Sequence, residues 1–257
     1  MKNNKDLPAD TDYSKSYMSV AQHIGLYIIC FVVLTCVMWV FYHNFIPSAV
    51  MAALCSVYVK KEIVKKKILS RKKQLRRQFR DMLQSLSVSV GAGATEIAAL
   101  ESSYKELSLT YNESSDIMIE LKKIILKYKN GGIRLRDLFM DFGNRSGVDD
   151  ILSFATIFDV IEGKSNRFGE IVRNTYQIIS DKMEIEQEIE TTISSAKSEA
   201  YIMLVMPVVV TLAMSMMGGG ISDNLYNSLE GNIIATIAII IFIISFILSQ
   251  RFTEIKV

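Results

Sequence analysis

The chain has 257 residues, half of them hydrophobic and 22% charged, with a formal net charge of +2. That length admits one ordinary soluble domain plus several membrane spans, and the mixture points to segregated blocks, apolar ones for lipid and charged ones for water. Only 13 Gly and 3 Pro occur, which disfavours a loop-rich β fold and favours long helices.

The first 23 residues read as a polar tail carrying Lys2, Lys5 and Lys15. Residues 24–42 hold no charge; as a helix they would extend roughly 28 Å, about the hydrocarbon thickness of a bilayer. A second uncharged run, 45–59, follows after His43-Asn44, with Pro47 near its start. The turn chemistry favours a hairpin of two spans over 24–59. One span plus a re-entrant segment is the alternative. Cys30, Cys36 and Cys55 all lie in these apolar runs, with no CxxC and no Cys/His cluster at metal spacing. His23 and His43 flank the first run and read as interface residues.

Between residues 60 and 80 lie eleven Lys/Arg and one acid, Glu62, leaving 18 basic against 26 acidic residues elsewhere in the chain. A basic block beside an apolar run suits anionic lipid. Lys60, Lys61, Lys65, Lys66, Lys67, Arg71, Lys72 and Lys73 are the expected contacts, on a helix that continues the second span. Nucleic acid is the rival ligand; the adjacent span makes lipid the preferred partner.

Residues 60–199 show helical periodicity almost throughout. Leu75, Phe79, Met82, Leu86 and Val90 form one stripe, Ile117, Leu121, Ile124 and Tyr128 another, and Ile151, Phe154, Ile157 and Ile161 a third. A long helix from about 168 to 200 carries Val172, Tyr176, Ile179 and Met183, then Ile185, Ile189, Ile193 and Ala196 after a register shift. Gly91-Ala-Gly93, Asn130-Gly131-Gly132, Gly143-Asn144 and Gly163 read as stops, and Thr95 as a helix cap. The expected fold is all-α: a bundle of about six helices between membrane hairpins.

Residues 200–217, with Pro207 inside, and 233–249 supply a second hairpin; a kink at proline is tolerated in a membrane helix. The loop between them, 218–232, has Asp223 and Glu230 but no Lys or Arg. The positive-inside rule then places 60–80 in the cytoplasm, the loop outside, and both termini, including the tail 250–257, inside. This predicts a membrane protein with four spans.

No phosphate-cradling GxxxxGK[ST] is present, and Gly218-Gly219-Gly220 falls on the outer side. Neither HExxH nor GxSxG occurs, and both histidines sit beside a span, so a His general base in the soluble part is excluded. Glu184, Glu186, Glu188 and Glu190 invite a metal reading, but a solvated helix face explains them more simply. No catalytic residue, cofactor or metal is expected. The apolar runs lack Asp, Glu, Lys and Arg, which weighs against the alternative of a small transporter or channel subunit.

Three stretches resemble the type II secretion system F domain family. FRDMLQSLSVSVGAGATEIAAL, residues 79–100, looks like that domain's opening helix, "AG" turn and second helix. GGIRLRDLFMDFGNRSGVDDILSFA, residues 131–155, resembles its middle section, and 168–210 its closing helix running into a proline-containing span. The tail is similar to the single-domain branch of Tad (Flp) pilus systems, the TadB/TadC type. One departure stands out: where the family has a glycine pair followed by Asn-Leu, this chain reads Gly163-Lys-Ser-Asn-Arg-Phe168.

The resemblance implies a non-enzymatic platform in a pilus-like machine. Its implied partners are a cytoplasmic assembly ATPase, pilin subunits, and a second F-domain protein or further copies of itself. Both ends of the 60–199 domain are anchored at the membrane, so turns midway along its helices form the far tip. Arg134, Arg136, Arg145 and Arg167 lie there, and arginine suits interfaces through its planar, bidentate fork. Together they are the expected ATPase-facing surface.

Overall fold

The computed structural model describes Tyr13, residues 20–42, 45–161 and 168–216, and, beyond these, 233–234, 236–242, 244–245 and 248. Among the described residues there is no strand; the fold is all-α. Seven helices are laid out in chain order: α1 (Val20–Tyr42), α2 (Phe45–Gly91), α3 (Glu96–Leu107), α4 (Asp116–Gly131), α5 (Leu135–Ser146), α6 (Asp149–Ile161) and α7 (Phe168–Met216). The described residues from 233 to 248 are also helical. The chain divides into two compact units, Met1–Tyr17 with Val64–Glu184, and Met18–Ile63 with Ile185–Val257.

The first unit is a bundle with one apolar core. Leu75, Phe79, Met82 and Leu86 of α2 are fully buried, together with Leu121 of α4, Phe139 and Phe142 of α5, and Phe154 of α6. Burying side chains of this size contributes about 1.5–3 kcal/mol each. The centre is aromatic. Phe79 meets Phe142 and Phe154 edge-on at centroid distances of 6.2 and 5.5 Å. Phe139 meets Phe154 and Phe158 at 5.3 and 5.6 Å, and Phe158 reaches Phe168 at 5.3 Å. Such geometry adds about 0.5–1.5 kcal/mol per pair beyond burial.

Local chemistry sets the breaks. α2 ends at Gly91, and Gly93 takes φ +87°, a conformation that glycine adopts without steric cost. Thr95 occupies the N-cap of α3 in extended geometry, though its hydroxyl makes no capping hydrogen bond. Gly132 closes α4 in the left-handed conformation. Glu96 and Asp116 open α3 and α4, and Lys105 and Lys129 end them, matching the helix dipole at each end.

Gly143 corrects the expected stop at Gly143-Asn144. It lies inside α5, and the left-handed residue that ends the helix is Gly147. The glycine serves packing instead: a Cβ on it would lie 3.0 Å from Leu152 Cα and 3.3 Å from Ala155 Cβ. On α6 the core position is Phe158, not Ile157, which is exposed; Ile151, Phe154, Ala155 and Phe158 present the buried face. Tyr128, expected at the end of the α4 stripe, is also partly exposed. Gly163 and the rest of 162–167 lie outside the described residues.

In the second unit many apolar residues of the described helices are exposed. Ile24, Ile28, Ile29, Val32 and Val33 of α1 are all exposed, as are Tyr201, Ile202, Met203, Val205, Met206, Val209 and Val210 of α7. Of the four spans expected, the described residues contain one helix long and apolar enough to cross a membrane, within Phe168–Ala213. α1 supplies a shorter apolar stretch, Ile24–Val37. The connections at 43–44 and 217–232 lie outside the described residues. Ile185, which opens the second half of the expected α7 stripe, is exposed.

Candidate functional site

The basic block occupies the middle of α2, with no break between it and the apolar start of that helix. Lys61, Lys65, Lys66, Lys67 and Lys73 are exposed, and Lys72 is half-buried. Lys60 sits over the Tyr27 ring of α1, 5.8 Å from its centroid. Arg71 differs from the rest. It forms a two-pronged pair with Asp116, Nε to Oδ2 at 2.8 Å and Nη2 to Oδ1 at 2.7 Å. Farther along, Arg76 pairs with Asp150 at 2.5 Å. The block thus changes role along its length: Lys61, Lys65, Lys66 and Lys67 are exposed, and from Arg71 onward arginines also tie α2 to α4 and α6.

The four arginines of the expected tip do not form one surface. Arg134 precedes α5 and Arg145 lies in its last turn; eleven residues of helix put them roughly 16 Å apart along the axis. Arg134 is 58% exposed and bonds Asp137 at 3.1 Å. Arg136 is half-buried and reaches Asp137 at 3.4 Å and Asp159 of α6 at 3.5 Å. Arg145 is only 15% exposed. Arg167 lies outside the described residues. Arg134 and Arg136 therefore share one end of α5, and Arg145 belongs to another cluster.

That second cluster is a connected polar site within the bundle. Glu120 of α4 is 1% exposed. Arg145 donates to both its oxygens, at 2.8 and 2.7 Å, and donates from Nε to Asp141 at 3.0 Å. Between this pair and the Arg71–Asp116 pair sits Tyr13, 1% exposed. Its hydroxyl donates to Glu120 Oε1 at 2.9 Å, and its backbone N–H donates to the Arg145 carbonyl at 3.1 Å. The Arg71 guanidinium lies 4.9 Å from its ring centroid, within the range of a cation–π contact.

Burial, then the Glu120 carboxylate, raises the Tyr13 hydroxyl above the ordinary tyrosine range. Burial would lower Arg145, but hydrogen bonds to Glu120 and Asp141 carry it above its usual value. The cluster is thus held as a neutral phenol between compensated ion pairs. Chain reading treated 1–23 as a tail and missed this site. A usable signal exists in α4, where charged Glu120 falls on the same face as Ile117, Leu121 and Ile124. Nothing in the pattern around Tyr13 marks it as buried.

Glu184, Glu188 and Glu190 are exposed and Glu186 is half-buried. Among the described residues, no group of three or more His, Cys, Asp or Glu is placed to hold a metal ion. Comparison of the chain with protein-family models, with curated proteins and with solved structures returned no match.

Proposed function

We propose that the chain is a platform protein of the type II secretion F-domain family, of the Tad (Flp) pilus kind. In this reading it is a four-span scaffold with both termini in the bacterial cytoplasm. It couples a cytoplasmic assembly ATPase to the insertion of pilin subunits into a filament and works beside a second F-domain protein or further copies of itself. The observation that carries the proposal is helix continuity. α2 runs without interruption from its apolar start through the basic block into the core residues Leu75–Leu86, and α7 runs from core Val172 and Ile179 into the apolar stretch beyond Ala200. Force applied to such a bundle passes to the apolar segments through hydrogen-bonded backbone, with no loop to absorb it.

Three further observations support the reading. The order of elements, helix, Gly-Ala-Gly turn, two helices, Gly-Gly turn, paired short helices and closing long helix, parallels the family resemblance in the sequence. The apolar residues of α1 and the end of α7 are exposed on many sides, a surface that suits lipid. The lysines of α2 next to an apolar segment suit anionic lipid, each contributing about 1 kcal/mol near such a surface.

The test is association with the ATPase. Arg134→Glu with Arg136→Glu reverses charge at the exposed end of α5 while leaving the Arg145 cluster intact. The double variant is expected to insert at normal levels, lose at least tenfold in co-purification with the secretion-type ATPase, and fail to support filaments. Normal filaments in a strain lacking the chain altogether would sink the platform reading. Normal filaments with the double variant would move the docking surface elsewhere, with the acidic run at 184–190 next in line.

A further inference from the structure

Tyr13 is held by groups from three helices, α2, α4 and α5, and every contact is of a specific kind. The ring lies against Arg71, the hydroxyl on Glu120 and the backbone N–H on the Arg145 carbonyl. Glu120 is at once neutralised by Arg145 and left with an oxygen that accepts from the phenol. An aromatic side chain with a polar tip, seated on compensated arginines, is the chemistry of a recognition anchor. All of it lies within the first unit, which contains both Met1–Tyr17 and Val64–Glu184.

We propose that this cleft is a binding site for the chain's own N-terminal segment, with Tyr13 as the anchor, and that docking forces the intervening chain to cross the membrane an even number of times. The second half rests on the membrane reading above. Tyr13 and Arg71 touch the same cleft, so they lie on one side of any bilayer. The chain between them, α1 and the start of α2, must leave that side and return to it. One span followed by a re-entrant segment would separate Tyr13 from Arg71 and is incompatible with the contact; a complete hairpin is compatible. The site thus decides the role of 45–59, which hydropathy alone leaves between two readings.

Two measurements on the full chain test the halves separately. Hydrogen–deuterium exchange in detergent micelles reads docking. The amide at position 13 is expected to exchange at least tenfold more slowly in the native chain than in Tyr13→Ala. Tyr13→Phe should fall between them, because the ring contact with Arg71 survives and the hydroxyl bond to Glu120 does not. Equal exchange in all three overturns the docking site. In sealed vesicles, Ala9→Cys and Lys67→Cys, made separately, are expected to react with a membrane-impermeant maleimide from the same side. Reaction from opposite sides overturns the even crossing. A chain that docks Tyr13 but does not partition into vesicles overturns the membrane reading and with it the crossing, leaving the docking site in place.

Discussion

Gly143 of α5 packs closely against Leu152 and Ala155 of α6, and the bare backbone there has consequences for substitution. Gly143→Ala places a methyl 3.0 Å from backbone at Leu152, and backbone cannot swing aside. The expected cost is about 1–3 kcal/mol of bundle stability. Gly91→Ala, which meets nothing within 4 Å, is the matched control and is expected to unfold at the native temperature; thermal unfolding of the two variants checks both. Tyr111 provides a pH signature. Its hydroxyl donates to Asp81 at 2.5 Å, and burial, then that bond, pushes its pKa up to about 12. A phenol whose folded pKa is raised stabilises the fold fully below about pH 10, its unfolded value, and loses that contribution as pH climbs toward 12. Denaturant titrations from pH 9 to 12 should therefore show falling stability, with a shallower fall in Tyr111→Phe. A steeper or unchanged fall in the variant would place the titration elsewhere.

At the scale of elements, α2 and α7 are the exceptional features: 47 and 49 residues, or about 70 Å each at 1.5 Å per residue. Leu69, exposed on α2 ahead of the first core residue Leu75, is the place to break the continuity. Leu69→Pro removes a backbone hydrogen bond and clashes with the carbonyl four residues earlier, a local cost of about 3 kcal/mol. The bundle is expected to melt cooperatively but several degrees lower, and to remain folded at growth temperature while filament assembly fails, with Leu69→Ala normal in both. Assembly that survives the proline would show that helix continuity is not used. Most of this architecture is legible in the chain itself. The spacing of Leu75, Phe79, Met82 and Leu86 reports a buried face because packing imposes the helical period on apolar residues, and Gly132 marks its turn because left-handed backbone favours glycine. Gly143 misleads because a glycine required for close approach and one required for a turn look identical in sequence. Tyr13 is hidden for another reason: one anchored side chain has no period, and its partners lie more than 50 residues away.

The whole chain makes a prediction that does not depend on any single contact. Reporter fusions after Lys60 and within 221–231 are expected to report cytoplasm and exterior respectively, following the distribution of Lys and Arg; the reverse pattern would contradict the four-span reading. The long reach of the Tyr13 contact then bears on the order in which the protein is made. Glu120 lies 107 residues after Tyr13, and a ribosome adding about 5–20 residues per second needs roughly 5–20 s to cover that distance. Helices α1 and α2 emerge before the cleft exists, so on the four-span reading the orientation of the first hairpin would be chosen by its flanking lysines during synthesis. Tyr13 arrives at a decision already taken. On the four-span reading, a chain whose second apolar run failed to cross would hold Tyr13 and the bundle on opposite sides and leave the cleft empty, so the same contact that has no part in choosing the orientation would distinguish molecules with a complete first hairpin from the rest.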